Sequence, residues 1–488
     1  MPEAATTAVP TAGPAPTESS KRLLPWLVAF AFFMESLDTT ILNTAVPSIS
    51  EALHVAALSM KSVLASYTLS LAVFIPISGW MADRFGTRKV FAAAIGIFTL
   101  GSMCCGLSPN IHLLVASRVL QGCGGAMMVP VGRLTLVRTF AKSELIRAMS
   151  FVSIPSLVAP MLGPIAGGLI VAYLHWRYIF FINVPIGIVG LILVYLHLPN
   201  YREEKTNPLD IVGLILFGSG VALLSYVLEI FGEHTLSATE MSLMLLMSLA
   251  LLAGYGLHAR TEPHPLLELT LLRIRTFRAA VSGGFFTRLG IGGVPFLLPL
   301  LYQIGLGYTP IQSGLLIMPQ ALGALSIKPF MPRILGYFGY RNILVSNTII
   351  IGILLFGFSF LGLATPLWII VALAFAYGAF TSLQYTSMNT LVYADTSESQ
   401  ASAASSIAST LQQMSISFGV ACAGLTTAIF IPKTSSSSSS FIHGTHEAFL
   451  VLGAMTILST LVFRSLKADD GADVSKRQPH TSQQAVLR

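Results

Sequence analysis

The chain has 488 residues, of which 54% are hydrophobic and only 10% charged, whereas soluble proteins carry charge on about a quarter of their residues. A mean hydropathy of +0.75, with 41 Gly beside 29 Phe, suits helices packed closely in lipid and excludes an ordinary cytosolic enzyme. The net charge of +7 has no polar domain on which to cluster, which excludes a nucleic-acid partner.

Residues 1–22, rich in Ala, Thr and Pro, read as a disordered cytoplasmic tail. The apolar run that follows is too long for the core of a signal peptide, and it passes Asp38 without a cleavage site. A spanning helix needs roughly 20 apolar residues. Fourteen such runs are predicted, near 24–46, 62–82, 90–107, 112–135, 147–174, 178–198, 210–231, 241–258, 279–303, 312–330, 342–362, 367–393, 407–431 and 447–465. They group as a six-helix bundle (23–200), an inserted helix pair with its linker (201–260), a second six-helix bundle (261–466) and a disordered tail (467–488). The run Ser435–Ser440 is expected to be a disordered outer loop. The four cysteines, Cys104, Cys105, Cys123 and Cys422, lie in apolar runs without metal-ligand spacing, so neither a metal nor a cofactor is expected.

An even number of spans puts both termini on one side. With that side cytoplasmic, 21 of the 28 Lys and Arg fall in cytoplasmic segments, four fall inside spans, and only Lys61, Arg177 and Lys433 lie outside. The turn after the second span and the turn after the tenth share Phe-Gly-x-Arg, their glycines at 86 and 339 being 253 positions apart. That is about half the chain, as two parallel copies of a six-helix bundle require.

Charges inside lipid cost a few kcal/mol each, so each needs a reason. Glu35 and Asp38 share a face of the first span, Arg118 and Arg133 lie on the fourth, Glu229 on the seventh, Arg288 on the ninth and Lys328 on the tenth. Asp38 lies roughly 12 Å and Arg118 roughly 9 Å from the outer ends of their spans at about 1.5 Å per residue. At matched depth they read as a proton-coupling site, Glu35 beside them, or as a permanent structural ion pair. Desolvation holds a proton on a carboxyl and a nearby guanidinium drives it off, so a change in either moves the proton. Arg133, Lys328 and Glu229, near helix ends, are expected to snorkel, and Arg288 is intermediate.

Residues 79–89 put Asp83 among Arg84, Arg88 and Lys89, between Gly79 and Gly86, in one tight turn. An acid at a helix C-terminus is disfavoured by the dipole unless a cation compensates, which points to an inter-helix latch. On the fifth span Gly163, Pro164, Gly167 and Gly168 combine small residues with a proline, read either as close packing or as a hinge.

These segments resemble signatures of the major facilitator superfamily. Gly79–Lys89 is similar to its loop motif, with Met81 in place of Leu, Arg118–Ala126 to its fourth-helix motif and Gly163–Gly168 to its antiporter motif, two upstream family glycines being Ser150 and Ala159 here. Leu37–Pro47 and Trp176–Gly187 look like the fourteen-helix drug:proton antiporter branch, the EmrB/QacA type, within which the wording of the first, fourth and ninth spans is similar to HsrA-like proteins.

The resemblance implies an all-α major facilitator fold with 14 transmembrane helices, two pseudo-symmetric six-helix bundles plus two inserted helices. It implies Asp38 as proton carrier, Arg118 as its partner and a gate built on Asp83, Arg84 and Arg88. By helix position, Glu35, Tyr67, Gln121, Phe296, Gln320, Gln384 and Asn389 are expected at the substrate cavity. The expected protein is a monomeric proton-coupled exporter of hydrophobic or amphipathic small molecules in the bacterial inner membrane. Its partners are a small-molecule substrate, protons and lipid, with room for a periplasmic adaptor. A metabolite or siderophore exporter and a non-transporting sensor are the alternatives. No mid-span His pair, zinc motif or phosphate loop supports an enzyme, and no repeated filter a channel.

Overall fold

The computed structural model describes residues 18–140, 142–203, 206–230, 237–397, 400–431 and 438–471. Among them there are helices and no strands, as apolar runs in lipid demand, because a helix satisfies its own backbone polar groups. The first half contains α1 (Glu18–Ala52), α2 (Lys61–Phe74), α3 (Ser78–Phe85), α4 (Thr87–Leu107), α5 (Ile111–Thr139), α6 (Lys142–Tyr173), α7 (Tyr178–Phe181) and α8 (Asn183–His197). Next come α9 (Ile211–Ile230) and α10 (Ala238–Thr261). The second half contains α11 (Arg275–Ile291), α12 (Val294–Leu300), α13 (Pro310–Ser326), α14 (Met331–Phe338), α15 (Tyr340–Phe358), α16 (Leu367–Leu391), α17 (Ala401–Phe430) and α18 (Ser438–Phe463).

Twelve described segments are long and apolar enough to cross a membrane. One of them, Pro310–Phe358, is divided by Gly339, and the apolar part of α6 is the shorter Val158–Tyr173. The duplication is a residue-by-residue register. A shift of 253 carries the 3-10 turn Ile75–Ile77, which holds Pro76, onto Lys328–Phe330, which holds Pro329. It also carries Gly86 onto Gly339, whose φ angles of 97° and 74° only glycine adopts without strain. Both glycines reverse the chain between a short helix and the next long one.

The halves meet along three lines, α2 on α17, α6 on α13 and α1 on α12. On the side away from the chain ends they share one apolar core, in which Ile41, Leu64 and Phe180 join Phe296, Tyr302 and Phe449. Gln303 Nε2 donates to the Thr44 carbonyl at 2.9 Å and Ser417 Oγ to the Ala65 carbonyl at 3.1 Å across that seam. On the tail side the cores are separate. Leu27, Phe91 and Phe98 belong to one, Phe277, Tyr340 and Phe463 to the other. The halves are therefore joined by apolar packing at the far side, whereas at the tail side each keeps its own core and α17 touches the turn Ile75–Ile77 of the first half.

The inserted pair packs α9 on α10, and α9 lies along the α2–α17 seam. Asp210 fastens it. Burial alone would raise this carboxyl's pKa, but amides of Gly213 and Leu266 and the His258 ring, 2.7, 3.1 and 2.8 Å away, hold it below its usual range. Three expectations of disorder are corrected. Residues 18–22, expected in the disordered tail, already belong to α1. Ser438–Ser440 open α18, since the last span runs further than its apolar core, and 432–437 lie outside the described residues. Residues 467–471 are folded, because Arg275 pairs with Asp470 through two guanidinium nitrogens. Residues 1–17 and 472–488 lie outside the described chain.

Candidate functional site

The centre of the first half holds a polar cluster drawn from five helices. Asp38 on α1 is 1% exposed and Arg118 on α5 is 2% exposed. Arg118 Nη1 donates to Asp38 Oδ2 at 2.5 Å, while Asp38 Oδ1 accepts from Gln121 Nε2 at 2.8 Å and Asn183 Nδ2 at 3.0 Å. Gln121, three residues after Arg118 and so on the same helix face, also accepts from Nη1 at 2.7 Å. Asn183, the first residue of α8, donates in addition to Ser102 Oγ on α4 at 3.1 Å, and that hydroxyl donates to the Phe180 carbonyl at 2.9 Å. The guanidinium lies over the Tyr67 ring of α2 with Cζ 4.2 Å from the centroid, and Nε reaches the Val63 carbonyl at 3.4 Å. A buried charge pair survives only when its remaining lone pairs and protons find partners, and these neighbours supply them.

Glu35, one turn earlier on α1, is half-buried. Among the described residues its carboxylate accepts no hydrogen bond and joins no ion pair. Arg133 is exposed, with Cζ 5.7 Å from the Phe32 ring centroid. The side chain of Glu229 lies outside the described ones.

Four of the residues expected at a cavity are packing elements instead. Tyr67 and Phe296 are fully buried, the first under Arg118 and the second in the far-side core. Gln121 belongs to the Asp38 cluster. Gln384 ties α16 to α15, accepting from Asn347 Nδ2 at 2.8 Å and donating to Thr348 Oγ1 at 2.7 Å. Polar side chains at mid-span satisfied in this way hold helices together. Of the others, Gln320 is partly buried with Nε2 unpartnered, and Asn389 is exposed.

The latch turn is built differently from its own sequence. Asp83 Oδ1 is 2.8 Å from Arg138 Nη2 in the last turn of α5, and the same nitrogen donates to Glu203 Oε1 at 2.8 Å. The Glu203 amide donates to the Asp83 carbonyl at 3.0 Å. Arg84 is exposed and makes no described hydrogen bond, so it is no partner of Asp83. The Arg88 guanidinium sits 5.9 Å from the Tyr195 ring centroid, and its amide donates to Asn200 Oδ1 at 3.1 Å. Trp80 Nε1 donates to the Asn207 carbonyl at 2.8 Å, so the turn is stitched to the linker that leads to α9. A Cβ on Gly86 would run into Asn200, whereas one on Gly79 would meet nothing within 4 Å. The conformational demand falls on Gly86.

On α6 the small residues face two ways. Gly163 and Gly167 lie against Thr40 and Ile41 of α1, and Thr44 Oγ1 donates to the Pro164 carbonyl at 3.1 Å. Gly168 faces the other half, where its Cβ would stand 2.6 Å from the Pro310 carbonyl oxygen. Gly314 of α13 faces the Pro164 carbonyl in return. The helix is thus a two-sided seam.

Sequence reasoning missed Asn183, Ser102, Arg138 and Glu203. Asn183 had one signal, its place in the segment Trp176–Gly187, while the others stand in runs that carry no pattern.

Comparison with known proteins covers nearly the whole chain. The sequence matches the description Major Facilitator Superfamily over residues 28–420 and 347–487. It is 39% identical over 445 residues to the "Putative multidrug resistance protein MdtD" of Serratia proteamaculans, covering 91% of this chain and 93% of that one. The protein of the same name from Escherichia coli O9:H4 is 41% identical over 411 residues, covering 84% and 87%. Among solved structures, a D-xylose–proton symporter superposes with a TM-score of 0.66 at 14% identity, covering 93% and 99% of the two chains. A bacterial homologue of the human lysosomal transporter Spinster, inward-facing and unoccupied, gives 0.65 at 14% identity, covering 95% and 100%.

Proposed function

Because the chain belongs to the major facilitator superfamily, we propose that it is a proton-coupled antiporter that exports hydrophobic or amphipathic small molecules by alternating access. The observation that carries this reading is the Asp38 carboxylate, sealed from water in the core of one half and held by Arg118, Gln121 and Asn183. The ion-paired arrangement, packed at the far side, is read here as the deprotonated state that accepts cargo from the tail side. Protonation of Asp38 removes the charge that holds Arg118, and the helices carrying the two groups gain freedom to rearrange. Proton and cargo then favour opposite states, so a proton gradient drives cargo the other way. The multidrug-resistance name of the relatives supports drug-like cargo.

The Lys and Arg excess at the tail side supports reading that side as the cytoplasm, with both termini inside and the protein in a bacterial inner membrane. Counting Pro310–Phe338, Tyr340–Phe358 and Lys142–Tyr173 as one crossing each gives fourteen. The protein then works as a monomer through two six-helix halves and an inserted pair. The test is purified protein in proteoliposomes under an imposed pH gradient, with ethidium, an acidic dye and a siderophore as probes. Saturable flux that a protonophore abolishes is the expected result. A gradient without effect on any probe would leave the sensor reading.

The Asp83–Arg138–Glu203 group ties the loop after α3 to α5 and the linker, and it supports a gating role. Each half-exposed ion pair contributes about 0.2–1 kcal/mol, so Asp83→Asn, which loses one, should slow turnover up to about fivefold, and Arg138→Gln, which loses both, by more. Half-saturation should barely move. Initial rates over a substrate series check this, and a rise in half-saturation at constant maximal rate would count against a gate.

A further inference from the structure

Among the described residues two guanidinium groups are buried, one in each half, and they are treated differently. Arg118 has a carboxylate. Arg288 on α11, 5% exposed, has none among the described residues. Its Nη2 donates to Asn389 Oδ1 at 3.1 Å and its Cζ lies 5.1 Å from the Tyr385 ring centroid, both residues being on α16. That hydrogen bond is the one described for its five N–H groups. Gly284, one turn before it, leaves room that a Cβ would take, 2.7 Å from Nη1.

The guanidinium borders a cavity of about 10 Å³ between α11, α16 and α17, room for one water. Val281, Met388, Val392 and Leu411 give it apolar walls, Gln412 and Asn389 polar ones. Asn389 is exposed, so the cavity is not sealed as the Asp38 cluster is.

A buried cation without a counter-ion is costly, and within a membrane-spanning segment it marks a ligand or ion pathway. The internal duplication adds an independent observation. The shift of 253 that superposes Gly86 on Gly339 and Pro76 on Pro329 carries Glu35 onto Arg288. The two halves therefore present opposite charges at equivalent positions of their first helices, and neither charge is ion-paired among the described residues.

We propose that Arg288 and Asn389 form the seat for an anionic group, a carboxylate or sulfonate, of an amphipathic substrate. This rests on the export reading above and narrows it to a substrate class. The guanidinium supplies the charge, Asn389 orients it, and Tyr385 covers its face. Glu35, at the equivalent position of the first half, favours cations and disfavours a second negative charge.

The test compares carboxyfluorescein with ethidium for wild type, Arg288→Gln, Arg288→Lys and Glu35→Gln. Binding is read in detergent by fluorescence anisotropy, where no gradient is needed. Flux is read in phosphatidylcholine vesicles with and without about a fifth of phosphatidylglycerol. Wild type should bind carboxyfluorescein, and Arg288→Gln should weaken that binding about tenfold or more, relative to any change for ethidium. Arg288→Lys should recover part of the loss, and Glu35→Gln should show the opposite preference between the dyes. An equal loss of both dyes in Arg288→Gln would make the residue a closing contact and overturn the proposal. So would a loss seen only in vesicles with phosphatidylglycerol, which would give the seat to a lipid phosphate. Failure of the export reading is separate, since it would appear as binding without gradient-driven flux.

Discussion

Asp38→Asn is expected to abolish gradient-driven efflux while the protein still inserts in the membrane. The side chain is nearly isosteric, so Gln121 and Asn183 keep an oxygen to donate to, and Arg118 keeps the Gln121 and Val63 oxygens. What disappears is the group that binds the proton. Removing one partner of a buried pair costs about 3–5 kcal/mol, so a lower melting temperature accompanies the loss. Asp38→Glu, which keeps a carboxyl but misplaces it, separates chemistry from stability: it should melt lower as well, yet retain gradient dependence at a reduced rate. The measurement is efflux from energised vesicles beside substrate counterflow at equal pH on both sides. Counterflow should survive in Asp38→Asn because it needs no proton. Gradient-driven efflux at the wild-type rate in that variant would end the assignment.

The sequence made the pairing of Asp38 with Arg118 legible because depth in a spanning helix follows from counting residues, and charge in lipid is rare enough to be noticed. It did not reveal the rest of the cluster. Asn183 and Ser102 are small polar residues in apolar runs, and nothing local tells whether such a residue meets a carboxylate, a backbone carbonyl or a cavity. Tyr67, Gln121, Phe296 and Gln384 show the same ambiguity from the other direction: helix and depth suit a cavity, but rotation about the helix axis buries each of them. The latch was half legible. An acid at a helix C-terminus demands a cation, but the chain offered Arg84 and Arg88 nearby, while the partner came from Arg138, 55 residues on. The duplication was visible as four residues and is a register over whole spans, because helix lengths and bends repeat where side chains have diverged.

The far-side seam between α6 and α13 carries the other large expected effect. Gly168 and Gly314 let backbone approach backbone: the groups a new Cβ would meet are the carbonyls of Pro310 and Pro164, which no rotamer change can move aside. Relief requires the helices, and with them the halves, to separate. Overpacking costs about 1–3 kcal/mol in a rigid core, but here the load falls on one of two conformations and converts to a shift of about five- to 150-fold toward the other. Gly314→Val should therefore part the far side, close the tail side and stall transport, with Gly314→Ala giving a smaller shift of the same sign. Spin labels at Lys89 and Asn342, exposed equivalents on the tail sides of the two halves, would read the change in a cysteine-free background as a shorter distance. Gly163 and Gly167 supply the control. Their Cβ atoms would press on α1 within the same half, so bulk there should lower the melting temperature without changing the label distance. If Gly314→Val instead lost stability with the distance unchanged, the seam would be ordinary packing, and alternating access in this protein would have to turn on another contact.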